Sequence, residues 1–212
     1  PKMIELSPYN GIPHLLKPVV TDVEEAKNLL IWAEKEMDRR YQIFTDMQAK
    51  NITSFNQAIK KSSKRSLEGR LNKKISWPFE EMPYIVIVID ELADLMLTQR
   101  NEVEKPITRI AQKARAAGIH MVMATQRPSS DIVTGLIKTN FPTRVSFKVS
   151  SNVDSRTILD QPGAEKLLGN GDMLYLAQGK ATQRLQGSYL SEEEVKKVVR
   201  AVSTQKGLSK KI

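Results

Sequence analysis

The chain has 212 residues, a formal net charge of +9 and a sequence pI near 9.6. It contains no cysteine, which excludes a disulfide framework and any thiolate metal centre and fits a reducing cytoplasm, and its two histidines, His14 and His120, lie far apart without ligand spacing. No apolar stretch reaches the roughly 18 residues needed to span a bilayer, no signal peptide is visible, and the basic balance points towards polyanions, nucleic acid ahead of anionic membrane.

One α/β domain with a full core is expected at this length, with room for a small appendage. The opening Pro1-Lys2-Met3-Ile4-Glu5-Leu6 reads as the tail of a strand cut inside a larger domain. Thr21-Asp22-Val23-Glu24 has the form of a capping box, and the spacing of Ala26, Leu29, Leu30, Ala33, Met37, Tyr41 and Phe44 predicts a helix over about 22–48 with one buried face. Glu34, Lys35, Glu36, Asp38, Arg39 and Arg40 are assigned to its solvated face. Residues 59–76 concentrate Lys60, Lys61, Lys64, Arg65, Arg70, Lys73 and Lys74 against Glu68, with little to bury, and are expected to be a flexible basic insertion.

The run Tyr84-Ile85-Val86-Ile87-Val88-Ile89 predicts a strand buried on both faces, and it delivers Asp90 and Glu91 to its carboxyl end. Leu92 to Leu97 is short and apolar. A helix follows over about 102–117, stopped by Gly118, and Ile119 to Thr125 forms a second buried strand closed by Gln126. Further on come a short helix over 131–138, a strand over 143–149 and a capping box at Ser151-Asn152-Val153-Asp154 that opens a helix to about Asp160. Strands over 173–177 and 183–190 flank a turn at Gly179, and Ser191-Glu192-Glu193-Glu194 caps a last helix to about Ser203. This alternation predicts a mostly parallel sheet covered by helices.

Ligands of such sheets sit at the carboxyl ends of the strands. There Asp90 would hold Mg²⁺ directly or through water, and Glu91 would orient and deprotonate a water aimed at a γ-phosphate, the arrangement of a Walker B motif. The plainer reading is that the two acids only end a strand and start a helix. Gln126, at the next strand end, can donate to the γ-phosphate or the attacking water and so sense an intact nucleotide. No G-x-x-x-x-G-K-[ST] loop occurs in the 212 residues, and Gly163, Gly169 and Gly171 do not replace one. No nucleophile stands beside a base, so protease and esterase chemistry has no support.

The blocks Gly11-Ile12-Pro13-His14-Leu15-Leu16, Glu36-Met37-Asp38-Arg39-Arg40-Tyr41, Val88-Ile89-Asp90-Glu91-Leu92-Ala93-Asp94-Leu95-Met96, Lys113-Ala114-Arg115-Ala116-Ala117-Gly118, Ala124-Thr125-Gln126-Arg127-Pro128-Ser129 and Asp154-Ser155-Arg156-Thr157-Ile158-Leu159-Asp160 resemble the motor of the FtsK/SpoIIIE DNA translocases. The resemblance runs from Pro1 to about Val199. It implies a RecA-like P-loop NTPase core in a hexameric, membrane-tethered ATPase that uses ATP and Mg²⁺ to pump double-stranded DNA through a central channel during division or sporulation. In that family the phosphate loop precedes the segment with which this chain begins. Residues 1–205 are therefore expected to be the C-terminal part of the motor domain, 206–212 a basic tail, and the whole a cytoplasmic piece without membrane contact that is inactive as an ATPase alone.

Carried over by residue, Asp90 is the Mg²⁺-associated acid, Glu91 the base and Gln126 the sensor, while Arg115 reaches a neighbouring subunit's phosphates. From the residues alone, Arg115 shares a helix with Arg109 and reads as an ordinary charge near a helix end. Channel-loop positions that contact DNA phosphates match Arg127, Lys138 and Arg156, while Asn152 stands where relatives often carry lysine. The competing readings are a related secretion or conjugation ATPase, and a non-catalytic DNA-binding or assembly fragment.

Overall fold

Apolar residues at three- and four-residue spacing form α1, Val23–Asp46, whose Leu30, Ala33, Met37, Ile43 and Phe44 are almost inaccessible to solvent. Asp22 caps it, its Oδ1 accepting from the Glu25 amide at 2.8 Å. The computed structural model describes residues 6–61 and 80–205. The opening strand, most of the basic stretch expected over 59–76 and the 206–212 tail lie outside those residues; Ile59, Lys60 and Lys61 end a helix.

Residues 27–124 make one compact unit, and residues 1–26 with 125–212 make another. The unit of residues 27–124 holds most of α1, then α2 (Ile52–Lys61), β1 (Ile85–Ile89), α3 (Leu92–Lys113) and β2 (Ile119–Met123). The sequence reading did not anticipate α2. Asn51 and Ser54 cap it reciprocally, Ser54 N donating to Asn51 Oδ1 at 2.9 Å and Asn51 N to Ser54 Oγ at 3.1 Å, and it packs Phe55 against Phe44 with ring centroids 5.6 Å apart. The strands β1 and β2 are parallel, in register from Ile85↔Ile119 to Ile89↔Met123. The helix α3 merges the two segments expected separately and bends at Gln99, where φ is −140° and ψ 38°.

The expectation of two buried faces on β1 is not met. Ile85 and Ile119 are 8% and 2% exposed, whereas Val86, Val88 and Val122 are 61%, 55% and 56% exposed. An unbroken apolar run signals cover on both sides, and among the described residues only one side receives it.

The other unit contains α4 (Gly135–Asn140), β3 (Arg144–Ser146), α5 (Asn152–Leu159), β4 (Asp172–Leu176), β5 (Gln183–Gln186) and α6 (Glu192–Ser203). Thr134 caps α4, which therefore starts later than predicted, whereas the capping boxes at Ser151/Asp154 and Ser191/Glu194 form as expected. The order β3-β4-β5 is antiparallel throughout, unlike β1 and β2. A tight link through Gly179, with φ +71°, permits no parallel crossover between β4 and β5. Asp172 is buried there. It takes a bidentate pair from Arg184 at 2.9 and 2.7 Å and the Leu168 amide at 2.7 Å, and these hold its carboxyl well down, to about 2.

Candidate functional site

The turn after β1 is stitched to the end of β2. Ala124 N donates to Ile89 O and Leu92 N donates to Ala124 O, both at 2.8 Å, so the backbone around Asp90 and Glu91 is fixed by the neighbouring strand. Glu91 takes an extended conformation (φ −133°, ψ 98°) and acts as the N-cap of α3, Oε1 accepting from the Ala93 amide at 3.0 Å. Both carboxylates are half-buried at the N-terminus of α3. Two adjacent hard oxygen donors suit Mg²⁺, which takes one or two protein carboxylates and completes its shell with phosphates and water. Among the described residues there is no cluster of three or more His, Asp or Glu that could hold a metal.

The helix α3 ends at Lys113 with Ala114 as its C-cap, so Arg115 lies beyond the helix that carries Arg109, not on it as the sequence reading had it. Its side chain is exposed. The turn that carries it joins the start of both strands: Ile119 N donates to Ala114 O at 3.0 Å and Ile85 N to Gly118 O at 2.9 Å. Arg115 is therefore at the amino ends of β1 and β2, and the acids are at the carboxyl ends. Five strand residues separate them, roughly 16 Å at 3.3 Å per residue.

Two buried charges near this turn escaped the sequence reading. Glu36 and Arg40 were assigned to the solvated face of α1, yet they are 9% and 1% exposed. Arg40 Nε donates to Glu36 Oε1 at 2.9 Å, and Arg39 donates to the same carboxylate at 2.7 and 2.8 Å. Burial works to raise the Glu36 pKa, but the hydrogen bonds from Arg39 and Arg40 outweigh it and hold the group below the usual carboxylate value. The signal was available: Ala33, Met37, Arg40 and Phe44 follow one another at helical spacing, which puts Arg40 inside the apolar stripe.

Gln126 and Arg127 follow β2 in exposed positions and belong to the other unit, as do Lys138 and Arg156. Thr125 Oγ1 accepts from the Arg127 amide at 3.0 Å, so the backbone of Arg127 shapes the turn before Pro128. Lys138 and Arg156 are on α4 and α5, not in loops as inferred from the resemblance. Lys138 Nζ is paired with Asp160 Oδ1 at 2.7 Å. Arg144, which the sequence reading passed over, donates from Nη1 to Asp160 Oδ2 at 2.6 Å and to Ile158 O at 2.9 Å, and from Nη2 to Lys138 O at 3.2 Å. Asp160 accepts both cations from a left-handed position (φ 60°) at the end of α5. Arg156 is exposed on the same helix.

The pattern of the FtsK/SpoIIIE family matches residues 1–130. The chain belongs to that family. It is 54% identical to the DNA translocase FtsK 2 of Ralstonia nicotianae over 97% of this chain and 27% of that protein, and 53% identical to the DNA translocase SpoIIIE of Bacillus subtilis over 97% and 25%. It thus spans about a quarter of the length of these FtsK/SpoIIIE relatives. Among solved structures it resembles the pCW3 conjugation coupling protein TcpA, determined with ATPγS, at a TM-score of 0.70 and 26% identity over 87% of this chain and 50% of that one. The cytoplasmic domain of the type VII secretion ATPase EccC of Thermomonospora curvata gives the same TM-score at 19% identity, over 92% of this chain and 22% of that one, and shares the fold. The α/β architecture of an FtsK/SpoIIIE motor domain, with a parallel pair of strands delivering the acids, is what the sequence predicted. No helix among the described residues is long and apolar enough to cross a membrane.

Proposed function

We propose that this chain supplies the hydrolytic acids and the trans-acting arginine of an ATP-driven double-stranded DNA translocase. It works as one part of each subunit of a homo-hexameric ring, in a membrane-tethered parent that moves chromosomal DNA at division or sporulation. The observation that carries the reading is the division of groups between the two ends of one parallel pair, Asp90 and Glu91 at the carboxyl ends and Arg115 at the amino ends. An arginine roughly 16 Å from its own acids cannot serve the same γ-phosphate. In a ring it can serve the next subunit's.

Asp90 would hold Mg²⁺ together with the nucleotide, and the ion would supply positive charge at the transferring phosphoryl group. Glu91, anchored by the Ala93 amide, orients the attacking water and takes its proton. Gln126 donates its amide hydrogens towards the γ-phosphate, and Arg115 neutralises charge developing on a neighbour's nucleotide. Arg127, Lys138 and Arg156 meet DNA phosphates. Identity above one half to proteins named DNA translocases, against 26% and 19% to conjugation and secretion ATPases, supports DNA as the cargo.

The chain itself contains no phosphate-binding loop of the Walker A type. Purified alone, it is expected to give no ATPase activity above background. In the complete motor, Glu91→Gln should keep nucleotide affinity and lose roughly two orders of magnitude or more in turnover. Robust hydrolysis by the chain alone that is indifferent to Glu91→Gln overturns the assignment.

A further inference from the structure

We infer that Arg40 is a positioning residue for Arg115, an inference that rests on the trans-acting role proposed above for that arginine. Each carbonyl oxygen of the turn from Ala114 to Gly118 accepts a hydrogen bond. The backbone amides of Ile119, Gly118, Ile52 and Ile85 serve Ala114, Arg115, Ala116 and Gly118 at 3.0, 3.1, 2.8 and 2.9 Å. The fifth oxygen, Ala117 O, is held by Arg40 Nη1 at 2.8 Å, and the same nitrogen donates to Pro83 O at 2.9 Å. One buried guanidinium therefore ties α1 to the segments that lead into both strands, two residues from Arg115.

A buried ion pair is a poor device for stability alone, since well-packed apolar residues of similar volume often do as well. What the planar fork of Arg40 does, and an apolar side chain cannot, is fix two carbonyls and a carboxylate in one geometry. The side chain of Arg115 is exposed, so the accuracy with which it reaches a phosphoryl group outside its own subunit derives from its backbone anchor. Misplacement by about 1 Å costs catalysis roughly a hundredfold. Gly118 completes the clamp: with φ at +73°, a Cβ there would lie 2.3 Å from Ile52 Cδ1, so a side chain at this position would push the turn from its other side.

Two variants of the complete motor test this, Arg40→Lys, which keeps the charge facing Glu36 but loses the fork, and Gly118→Ala, which leaves the ion pair untouched. Both are expected to lower turnover by roughly a hundredfold while holding ATP affinity within about twofold. Mixed with Glu91→Gln subunits in rings shown to assemble, each should recover hydrolysis, because its own acids then face an intact Arg115. Mixed with Arg115→Ala subunits, neither should recover. A variant that is only misfolded recovers with neither partner, so failure of both variants to recover with Glu91→Gln overturns the proposal, as does undiminished turnover or recovery with Arg115→Ala. If Arg115→Ala is rescued by Glu91→Gln while the Arg40 and Gly118 variants are not, the role of Arg115 stands and that of Arg40 falls. Normal turnover in Arg115→Ala rings overturns both.

Discussion

Lys138 is the residue at which the expectation of a DNA contact meets a competitor. Its ammonium is paired with Asp160, and Asp160 is shared with Arg144, so a phosphate arriving at Lys138 has to displace a carboxylate already in place. The hydrogen bonds from Arg144 and then Lys138 hold the Asp160 carboxyl below its ordinary pKa, as expected of a counter-ion stabilised by two cations. Asp160→Asn retains a residue type that tolerates the left-handed backbone and removes the competing charge. The expected outcome is tighter duplex binding by the complete motor, with a log–log salt slope larger in magnitude by up to about one per bound subunit. An unchanged affinity and slope would mean that Lys138 makes no contact with the phosphates. Arg40 teaches a related lesson. Removing one member of such a buried pair costs about 3–5 kcal/mol, yet its charge led the sequence reading to assign it to solvent. The place of Asp90 and Glu91 at a strand end was legible because a β-branched run announced the strand that delivers them, while the role proposed for Arg115 comes only from resemblance, since nothing in an exposed turn arginine declares what it reaches.

At the scale of elements, the strands and capped helices were readable where the pattern is local. The boxes at Ser151/Asp154 and Ser191/Glu194 satisfy backbone amides within one turn, so three or four residues define them. Cover on a strand face is not local, and the valines of β1 and β2 illustrate the difference. The helix α2 was missed because Lys60 and Lys61 at its end were grouped with the basic stretch beyond it. The antiparallel β4 and β5 are also bridged by a pair that spacing does not reveal, Asp172 with Arg184. The Asp172 carboxyl is depressed to about 2 by Arg184 and the Leu168 amide, against an ordinary value of 3.8. A carboxyl with a lowered folded-state pKa contributes stability that is present above its unfolded value and lost as pH falls through the folded one. Urea or thermal unfolding between pH 4 and 2 should therefore show a steeper loss of stability in the native chain than in Asp172→Asn, which begins less stable at pH 7. Parallel acid limbs for the two would show that the pair contributes nothing to folding.

For the molecule as a whole, the DNA binding proposed above would take its character from the net charge of +9 more than from any single contact. Cations that meet phosphates release condensed counterions and read no bases, so duplex affinity should fall steeply with salt and vary little with sequence. Arg156→Ala in the complete motor should weaken binding to all duplexes alike and lower the magnitude of the salt slope by about one per bound subunit. A change in sequence preference, or no change in slope, would remove Arg156 from the contact surface. The parallel pair of β1 and β2 acquires another meaning at this scale. If Arg115 acts on a neighbour, two strands of five residues each form the rigid link between one catalytic centre and the next. A tilt of that link by a few degrees displaces both of its ends at once. The fit of a water beside Glu91 is then coupled to the reach of Arg115 into the adjoining subunit, and the sheet passes information around the ring as a lever does, by being stiff.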